Sequence, residues 1–212
     1  MSLRHQPKAA LINDFSGFGR CSVTVALPII SQMKVQCCPV LTSVFSNHTG
    51  YPSFYFDDYT EKMPSYIAEW KKLNLHFECI AAGFLGSERQ IEIVKNFIRD
   101  FKDETTKVLI DPVMGDHGRT YQTFTPEMCS QMKQLAHFAD ILTPNLTEAC
   151  ILTDTPYHDG HWQMSELSEL ALSLIAMGPS KVVITGVSMG TFIGNVICES
   201  GGTPSVVKRK RV

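Results

Sequence analysis

The 212-residue sequence is poor in features that define a class of protein on their own. It has no run of about 18 apolar residues, and its first seven residues lack the apolar core of a signal peptide, so we expect a cytoplasmic protein without a membrane span. Its seven cysteines include no C-x-x-C pair, and an odd number of scattered cysteines fits a reducing compartment better than a disulfide framework. No repeat, linker or low-complexity tract is present, so a single domain over residues 1–212 is the simplest expectation.

An excess of charge of one sign is also missing. The 19 Lys and Arg residues against 21 Asp and Glu residues give a net charge of −2, and the one basic cluster, 208–211, lies at the end of the sequence. Nucleic-acid binding needs basic residues spread over a face or along a helix, so we expect no nucleic-acid partner. With 44% apolar and 19% charged residues, the composition is that of an ordinary globular protein.

Short apolar runs alternate with segments of helical period, which is typical of βα units and a mostly parallel sheet. Strands are predicted at residues 9–13, 38–43, 79–82, 108–111, 140–142 and 182–185. Helices are predicted at 59–73, 87–101 and 165–177, and a hairpin at 191–198 and 204–207. Ser87 with Gln90 and Asn145 with Glu148 have capping-box spacing, so a further helix should begin after Asn145. The sequence therefore predicts an α/β fold.

Polar or glycine-rich segments follow four of these strands, at the sheet edge where an open α/β fold binds its ligands. Residues 13–22 contain two glycines that allow close approach to a ligand, but neither a Walker loop nor G-x-G-x-x-G. Ser16 and Ser22 could equally cap a helix there. Residues 45–51 combine aromatic, hydroxyl and imidazole groups that suit a flat heteroaromatic ligand, although a single histidine such as His48 more often has a structural role.

The loop after strand 108–111 carries Asp111 and Asp116, separated by a proline and a glycine. Two close carboxylates can hold a hard cation or raise one another's pKa, although Asp also commonly caps backbone groups in turns. A metal-dependent hydrolase using Asp111, Asp116 and His117 is a further, less favoured possibility, because a stray His in an acidic turn is common. The helix that begins after Asn145 would point its N-terminus at the same sheet edge and favour a phosphate group.

Six blocks of sequence resemble one known family. They are Ser16 in a glycine-containing loop, Phe-Ser-Asn-His-Thr at 45–49, Gly-Phe-Leu-Gly-Ser at 83–87, Asp-Pro-Val-Met-Gly-Asp at 111–116, Thr-Pro-Asn at 143–145 with Glu148, and Val-Val-Ile-Thr-Gly at 182–186. In this order they are similar to the pyridoxal kinases of the ribokinase-like superfamily. The resemblance implies a three-layer α/β/α fold with a mostly parallel central sheet. It also implies transfer of the γ-phosphoryl group of ATP to the 5′-hydroxyl of pyridoxal, pyridoxine or pyridoxamine.

The resemblance further implies roles for individual residues. The substrate would contact Ser16, Cys21, Phe45, His48, Thr49, Phe84 and Tyr121, and ATP would contact Asp111, Asn145, Glu148, Thr185 and Gly186. Mg²⁺ would lie near Asp116 and Glu148, and a monovalent cation, K⁺ or Na⁺, near Thr143 and Thr185. One or two carboxylates are enough to bind Mg²⁺, because this ion keeps several waters and binds phosphate oxygens. Phosphoryl transfer itself needs mainly positioning and neutralisation of charge. The implied assembly is a homodimer.

Two departures from the family pattern affect these expectations. Phe84 stands where many pyridoxal kinases have Tyr, and Gly-Thr-Gly-Asp, whose Asp is the general base of the family, occurs nowhere in the sequence. We therefore expect a truncated chain in which the C-terminal helices are missing and the catalytic Asp lies beyond Val212. Two alternatives stay open: a hydroxymethylpyrimidine kinase of the same superfamily, and a non-catalytic fragment that binds ATP or a pyridoxal compound.

Overall fold

The computed structural model describes residues 6–122 and 124–211. The chain consists of two compact units, divided between Val108 and Leu109. Within the described ranges, no helix has both the length and the apolar character needed to cross a membrane. The first five residues, which contributed to the argument against a signal peptide, lie outside the described residues.

The first unit is built on parallel strands. Its elements are β1 (Lys8–Ser16), α1 (Ser22–Gln32), β2 (Gln36–Phe45), β3 (Phe56–Asp58), α2 (Met63–Lys72), β4 (Cys79–Ala82) and α3 (Glu88–Phe101). The strand order is β4-β1-β2-β3, in which β1 is parallel to β2 and β4, and β3 is antiparallel to β2. Residues 9–12 of β1 are buried without alternation, as expected for a strand covered on both faces.

Helix α3 confirms the predicted apolar stripe and half of the predicted capping box. Five apolar residues at three- and four-residue spacing are buried: Ile91, Val94, Phe97, Ile98 and Phe101. Ser87 caps the helix by accepting a hydrogen bond from the Gln90 amide. The second hydrogen bond of a capping box, from the Ser87 amide to the Gln90 side chain, does not form. Gln90 Nε2 donates instead to the carbonyl oxygen of Thr42 at 2.8 Å and its Oε1 accepts from the Gly86 amide at 2.7 Å.

The second unit contains three parallel strands and an antiparallel meander. Its elements are β5 (Lys107–Ile110, which contains the division), β6 (Gly115–Asp116), β7 (Arg119–Thr120), α4 (Pro126–Ala136), β8 (Ile141–Leu142), α5 (Leu146–Thr153), α6 (Met164–Ala176), β9 (Lys181–Met189), β10 (Phe192–Glu199) and β11 (Ser205–Lys210). The strand order is β5-β8-β9-β10-β11, with β8 parallel to β5 and β9. Strands β10 and β11 form the predicted hairpin, and β6 and β7 form a separate short ribbon.

The predicted end of the last core strand at Thr185 is wrong. Strand β9 continues to Met189, and its register with β10 shifts near Gly186. Gly186 has a φ of +70° and its amide donates to Asn195 Oδ1 at 3.2 Å. The glycine therefore accommodates a bulge rather than a turn that ends the strand. The predicted helix 59–73 begins later, at Met63, because residues 59–62 form a turn.

Candidate substrate and nucleotide sites

Strand β1 ends in a buried polar pair. Ser16 and Asp14 are 3% and 5% exposed, and Ser16 Oγ donates to Asp14 Oδ2 at 3.0 Å. The helix-capping alternative for the two serines is wrong: Ser16 belongs to β1, and α1 has Cys21 at its N-cap and Ser22 as its first residue. Asp14 was not among the predicted site residues, although residues two apart on a strand share a face.

Phe45 and Phe84, two of the predicted substrate residues, are brought together in an aromatic cluster. Their ring centroids lie 5.9 Å apart, and Phe45 also contacts Phe54 at 5.7 Å and Phe56 at 4.9 Å. Phe45 is buried, whereas Phe54 and Phe56 are about half exposed. The sequence reasoning missed these last two rings, for which the aromatic content of residues 54–56 was the available signal. Such a cluster suits a flat ligand.

The backbone at Phe84 is fixed by an amide side chain from β1. The Phe84 amide donates to Asn13 Oδ1 at 3.0 Å. A Cβ at Gly83 would lie 2.6 Å from Asn13 Nδ2, so only glycine lets the two segments approach this closely. Asn13 thus positions one ring of the aromatic cluster.

His48 has the structural contacts that a single histidine was expected to have. Its Nδ1 accepts a hydrogen bond from the Gly50 amide at 3.0 Å, and its own amide donates to the carbonyl oxygen of Phe18 at 2.8 Å. Thr49 beside it is exposed. The loop that contains Phe18 and the loop that contains His48 border an open cavity of about 430 Å³. None of the predicted substrate residues lines this cavity. Its lining is Phe18, Ser46, Asn47, Tyr51, Pro52 and Ser53.

In the second unit, residues at the start of α5 form hydrogen bonds with the loop of residues 111–116. Asn145 Oδ1 accepts from the Glu148 amide at 3.0 Å and Glu148 Oε2 accepts from the Asn145 amide at 2.8 Å, which confirms the predicted capping box. Glu148 Oε1 accepts from the Met114 amide at 3.1 Å. Asn145 Nδ2 donates to the carbonyl oxygen of Gly115 at 2.8 Å. The structure therefore brings together two of the predicted nucleotide residues and the loop that carries Asp111 and Asp116.

The carboxyl groups of this site are electrostatically unfavourable in their charged form. Burial raises the pKa of Glu148 to about 8, and Asp111 adds to this rise, which outweighs the hydrogen bonds from the Asn145 and Met114 amides. The pKa of Asp111 rises to about 6 because its carboxyl is surrounded by protein, although part of the residue remains open to solvent. Burial also raises the pKa of Tyr121, with the carboxylates of Glu148, Asp116 and Asp111 contributing.

Asp116 has a different environment, because it lies on the exposed β6–β7 ribbon. Its Oδ1 accepts from the His117 amide at 2.8 Å, and the His117 ring is 92% exposed. Among the described residues, no three His, Cys, Asp or Glu side chains are close enough together to hold a metal ion by themselves. A cation here would therefore need further oxygen ligands from water and phosphate. Mg²⁺ usually binds in this way, with one or two carboxylates beside several waters and phosphate oxygens. The carboxyl groups of Asp111 and Glu148, whose pKa values are raised by burial, would favour such a cation because its positive charge stabilises their ionised form.

Thr143 directly follows β8, whereas Thr185 and Gly186 lie within the adjacent strand β9, at its bulge. The Thr143 amide donates to the carbonyl oxygen of Ile110 at 3.0 Å, and the Thr185 amide donates to that of Pro144 at 2.8 Å. Thr185 and Asn145 form an isolated parallel bridge. The structure thus brings Thr143, Asn145 and Thr185, three of the predicted residues, together in the second unit.

Parallel strands whose ends carry carboxylates and the N-terminus of a helix are typical of α/β proteins that bind phosphorylated ligands. The sequence profile of the phosphomethylpyrimidine kinase family matches residues 27–212, so the chain belongs to this family. A pyridoxal kinase of Arabidopsis thaliana is 31% identical over 80% of this chain and 56% of its own length. A pyridoxal kinase of Sus scrofa is 32% identical over 66% of this chain and 45% of its own length. The chain thus spans about half the length of these curated relatives.

Solved structures agree with the family assignment. A protein of Bacteroides thetaiotaomicron, provisionally described as a phosphomethylpyrimidine kinase, is 43% identical with a TM-score of 0.94, over 100% of this chain and 74% of its own. Its orthorhombic form with pyridoxal is 42% identical, with a TM-score of 0.93 over 98% of this chain and 74% of its own. Pyridoxal kinase from Lactobacillus plantarum is 27% identical, with a TM-score of 0.88 over 98% of this chain and 74% of its own. The predicted resemblance and the predicted ribokinase-like α/β fold are confirmed.

Proposed function

We propose that this chain carries the substrate- and nucleotide-binding residues of a pyridoxal kinase, which transfers the γ-phosphoryl group of ATP to the 5′-hydroxyl of pyridoxal, pyridoxine or pyridoxamine. The observation that carries the proposal is the 42% identity to a structure with pyridoxal, over 98% of this chain. That match supports the sequence prediction of one kinase domain over residues 1–212.

The first unit supplies the groups that bind the vitamin ring. The aromatic cluster of Phe45 and Phe84 offers apolar faces to a pyridine ring, and Ser16 and Thr49 offer hydroxyl groups to its substituents. Cys21 and His48 complete the residues proposed in this unit. Tyr121, in the second unit, stays a substrate residue predicted from the family resemblance alone. Phe84 lacks the hydroxyl that many pyridoxal kinases have at this position, so ring contact would have to replace one hydrogen bond.

The second unit supplies the groups that bind the nucleotide. Asp111, Asn145, Glu148, Thr185 and Gly186 are proposed to contact ATP, in part because the N-terminal amides of α5 favour phosphate oxygens. Asp116 and Glu148 would hold Mg²⁺, which when bound neutralises charge on the transferring phosphoryl group. Thr143 and Thr185 would lie near a monovalent cation, K⁺ or Na⁺.

A hydroxymethylpyrimidine kinase is the second candidate. The name of the matching family and a 25% identical relative, the thiamine biosynthetic bifunctional enzyme TH1 of Arabidopsis thaliana, favour it. The Phe-Ser-Asn-His-Thr block at 45–49 favours pyridoxal instead. A non-catalytic binder of ATP or pyridoxal is the third candidate.

Binding and turnover separate these three candidates. The 212-residue chain and a chain extended along its reading frame are each titrated with pyridoxal, hydroxymethylpyrimidine and ATP, then assayed for ATP-dependent phosphorylation. We expect both chains to bind pyridoxal more tightly than the pyrimidine, and the extended chain to form pyridoxal phosphate. Preference for the pyrimidine as acceptor would refute the proposal, and binding without turnover in both chains would favour the binder.

A homodimer in the cytoplasm completes the proposal. Helix α1 and its C-cap expose apolar residues at four-residue spacing, namely Val25, Ile29 and the C-cap Met33, which form a face that a second copy could cover. All seven cysteines are free, in agreement with a reducing compartment. Sedimentation of the wild-type chain and of Ile29→Glu tests the dimer. We expect a dimer that Ile29→Glu converts to a monomer, whereas a wild-type monomer would contradict this part of the proposal.

A further inference from the structure

The β6–β7 ribbon, residues 115–120, is too short to be stable alone, since each strand has two residues. Its turn residues, His117 and Gly118, have φ angles of +51° and +74°, as in the tight turns that favour Gly at the second position. A Cβ at Gly115 would lie 2.2 Å from the carbonyl oxygen of Arg119. The ribbon therefore depends on glycine for its shape and on other residues for its position.

The tip of the ribbon is held from two sides. The Gly118 amide donates to Thr147 Oγ1 at 2.9 Å, and Thr147 is 3% exposed in the first turn of α5. The ring of Tyr157 packs so closely that a Cβ at Gly118 would lie 2.5 Å from its Cδ1 atom. Thr147 and Tyr157 thus enclose one glycine between a hydroxyl and a ring, and we call these two residues the tip clamp.

The base of the ribbon is held independently of the tip clamp. Asn145 Nδ2 donates to the Gly115 carbonyl oxygen, and Glu148 Oε1 accepts from the Met114 amide. Asp116 lies between this attachment and the tip. Its carboxylate is among the smaller causes that raise the pKa of Tyr157, after burial and Asp159. Without the tip clamp, Asp116 would be attached on one side only.

We propose that Thr147 and Tyr157 are positioning residues, which clamp the tip of the ribbon and thereby fix Asp116 for its role toward the nucleotide and its cation. The role of Asp116 rests on the proposed function, whereas the clamp itself does not. Neither clamp residue is among those implied by the family resemblance. A displacement of a charged group by about an ångström is enough to weaken a positioned interaction, so two residues outside the site can control it.

The test compares Thr147→Val with Thr153→Val. Both changes keep the side-chain shape, but the Thr153 hydroxyl bonds to the Ala149 carbonyl oxygen inside the same helix and to the Thr155 hydroxyl at 2.8 Å, instead of to the described residues of the ribbon. Arg119 is exposed on β7, so trypsin cleavage after it, followed by mass spectrometry, reports on loosening of the ribbon. We expect Thr147→Val to raise this cleavage roughly two- to tenfold, the range for one neutral hydrogen bond, and Thr153→Val to leave it unchanged. Unchanged cleavage in Thr147→Val would overturn the clamp.

Nucleotide binding separates a positioning role from a merely structural one. ATP affinity is measured with and without Mg²⁺, beside pyridoxal affinity. Thr147→Val should weaken only the Mg²⁺-dependent part, again roughly two- to tenfold. Equal weakening with and without Mg²⁺, or none, would refute the positioning of Asp116. A wild-type chain that binds no nucleotide would refute the proposed function, while trypsin cleavage would still decide on the clamp.

Two further comparisons identify the contribution of the ring. Tyr157→Ala should raise cleavage after Arg119, and Tyr157→Phe should restore wild-type behaviour because the packing ring is kept. Gly118→Ala should loosen the ribbon more than Gly160→Ala, since both glycines have positive φ but no atom lies within 4 Å of a Cβ at Gly160. Equal effects of the two glycine substitutions would contradict the contact with Tyr157.

Discussion

Asn145 and Glu148 cap one another at the start of α5, and the same two side chains hold the backbone of residues 114 and 115. One helix terminus therefore positions the loop that carries the acidic residues of the second unit. Both oxygens of Glu148 accept backbone amides, so its orientation is fixed before any ligand binds. Because these hydrogen bonds hold the loop, a substitution that removes one of them should alter ligand binding even when the acidic side chains are kept.

Asn145→Ala should separate the capping role of this residue from its contact with the loop. Loss of the cap should lower the free energy of unfolding by about 1 kcal/mol, and loss of the Gly115 contact should also weaken nucleotide binding. The matched control is Thr125→Ala, because Thr125 caps a different helix, α4, by accepting from the Met128 amide at 3.2 Å. Denaturant unfolding and ATP titration measure both effects. Equal nucleotide affinities in the two variants would contradict the role of the loop contact.

The cation-free chain should lose stability as the pH rises. Asp111 and Glu148 have ordinary pKa values of 3.8 and 4.5, which the fold raises to about 6 and about 8. The folded state thus binds their protons more tightly than the unfolded state, so their stabilising contribution is complete below about pH 4 and is lost as the pH rises through 6 to 8.

Asp111→Asn provides the control for this pH dependence, since it removes one of the two titrating groups. Thermal unfolding at pH 5, 6.5 and 8, with EDTA, should show a smaller decrease of Tm in the variant than in the wild type. Mg²⁺ with ATP should reduce the decrease in the wild type, because a cation competes with protons for the carboxylates. Parallel Tm curves for variant and wild type would show that Asp111 does not titrate in this range.

Ser16→Ala should weaken pyridoxal binding and also destabilise the first unit. The substitution removes the hydroxyl proposed to contact the ligand and leaves the buried Asp14 without its donor at 3.0 Å. Loss of a partner by a buried polar group costs about 1–3 kcal/mol. Ser168→Ala is a suitable control, because Ser168 is partly exposed and its hydroxyl donates to the Met164 carbonyl oxygen within α6 of the second unit. Pyridoxal titration and denaturant unfolding measure both effects. Equal pyridoxal affinities and equal free energies of unfolding in the two variants would contradict the prediction.

Phe84→Leu should reduce pyridoxal affinity while ATP affinity stays unchanged. Leucine keeps most of the apolar volume but removes the ring that contacts Phe45 and is proposed to contact the ligand. An aromatic contact contributes about 0.5–1.5 kcal/mol beyond its buried area, which corresponds to roughly a two- to tenfold loss of affinity. Phe84→Tyr, which restores the residue of many pyridoxal kinases, should bind at least as tightly as the wild type. Titrations that show no loss in Phe84→Leu would exclude Phe84 from the pocket.

Local patterns in the sequence predicted much of the fold. The buried stripe of α3 and the capping box of α5 depend on residues three or four apart, so both could be recognised directly. Helix α4 also had a readable start, with Thr125 at the N-cap and Pro126 in the first turn, but this signal was missed. The expected return bond from Gln90 to Ser87 fails because the buried amide of Gln90 bonds to Thr42 instead.

The sequence by itself determined the alternation of strands and helices, the family resemblance and the acidic loop between residues 111 and 116. Only the tertiary structure decided where β9 ends, because the bulge at Gly186 depends on Asn195 in the next strand. It also decided how the ribbon is held, since Thr147 is 29 residues from Gly118. The pKa of Glu148 is raised by burial and also by Asp111, a residue distant in sequence. Short-range periodicity cannot encode such long-range contacts, which form only when the chain has folded.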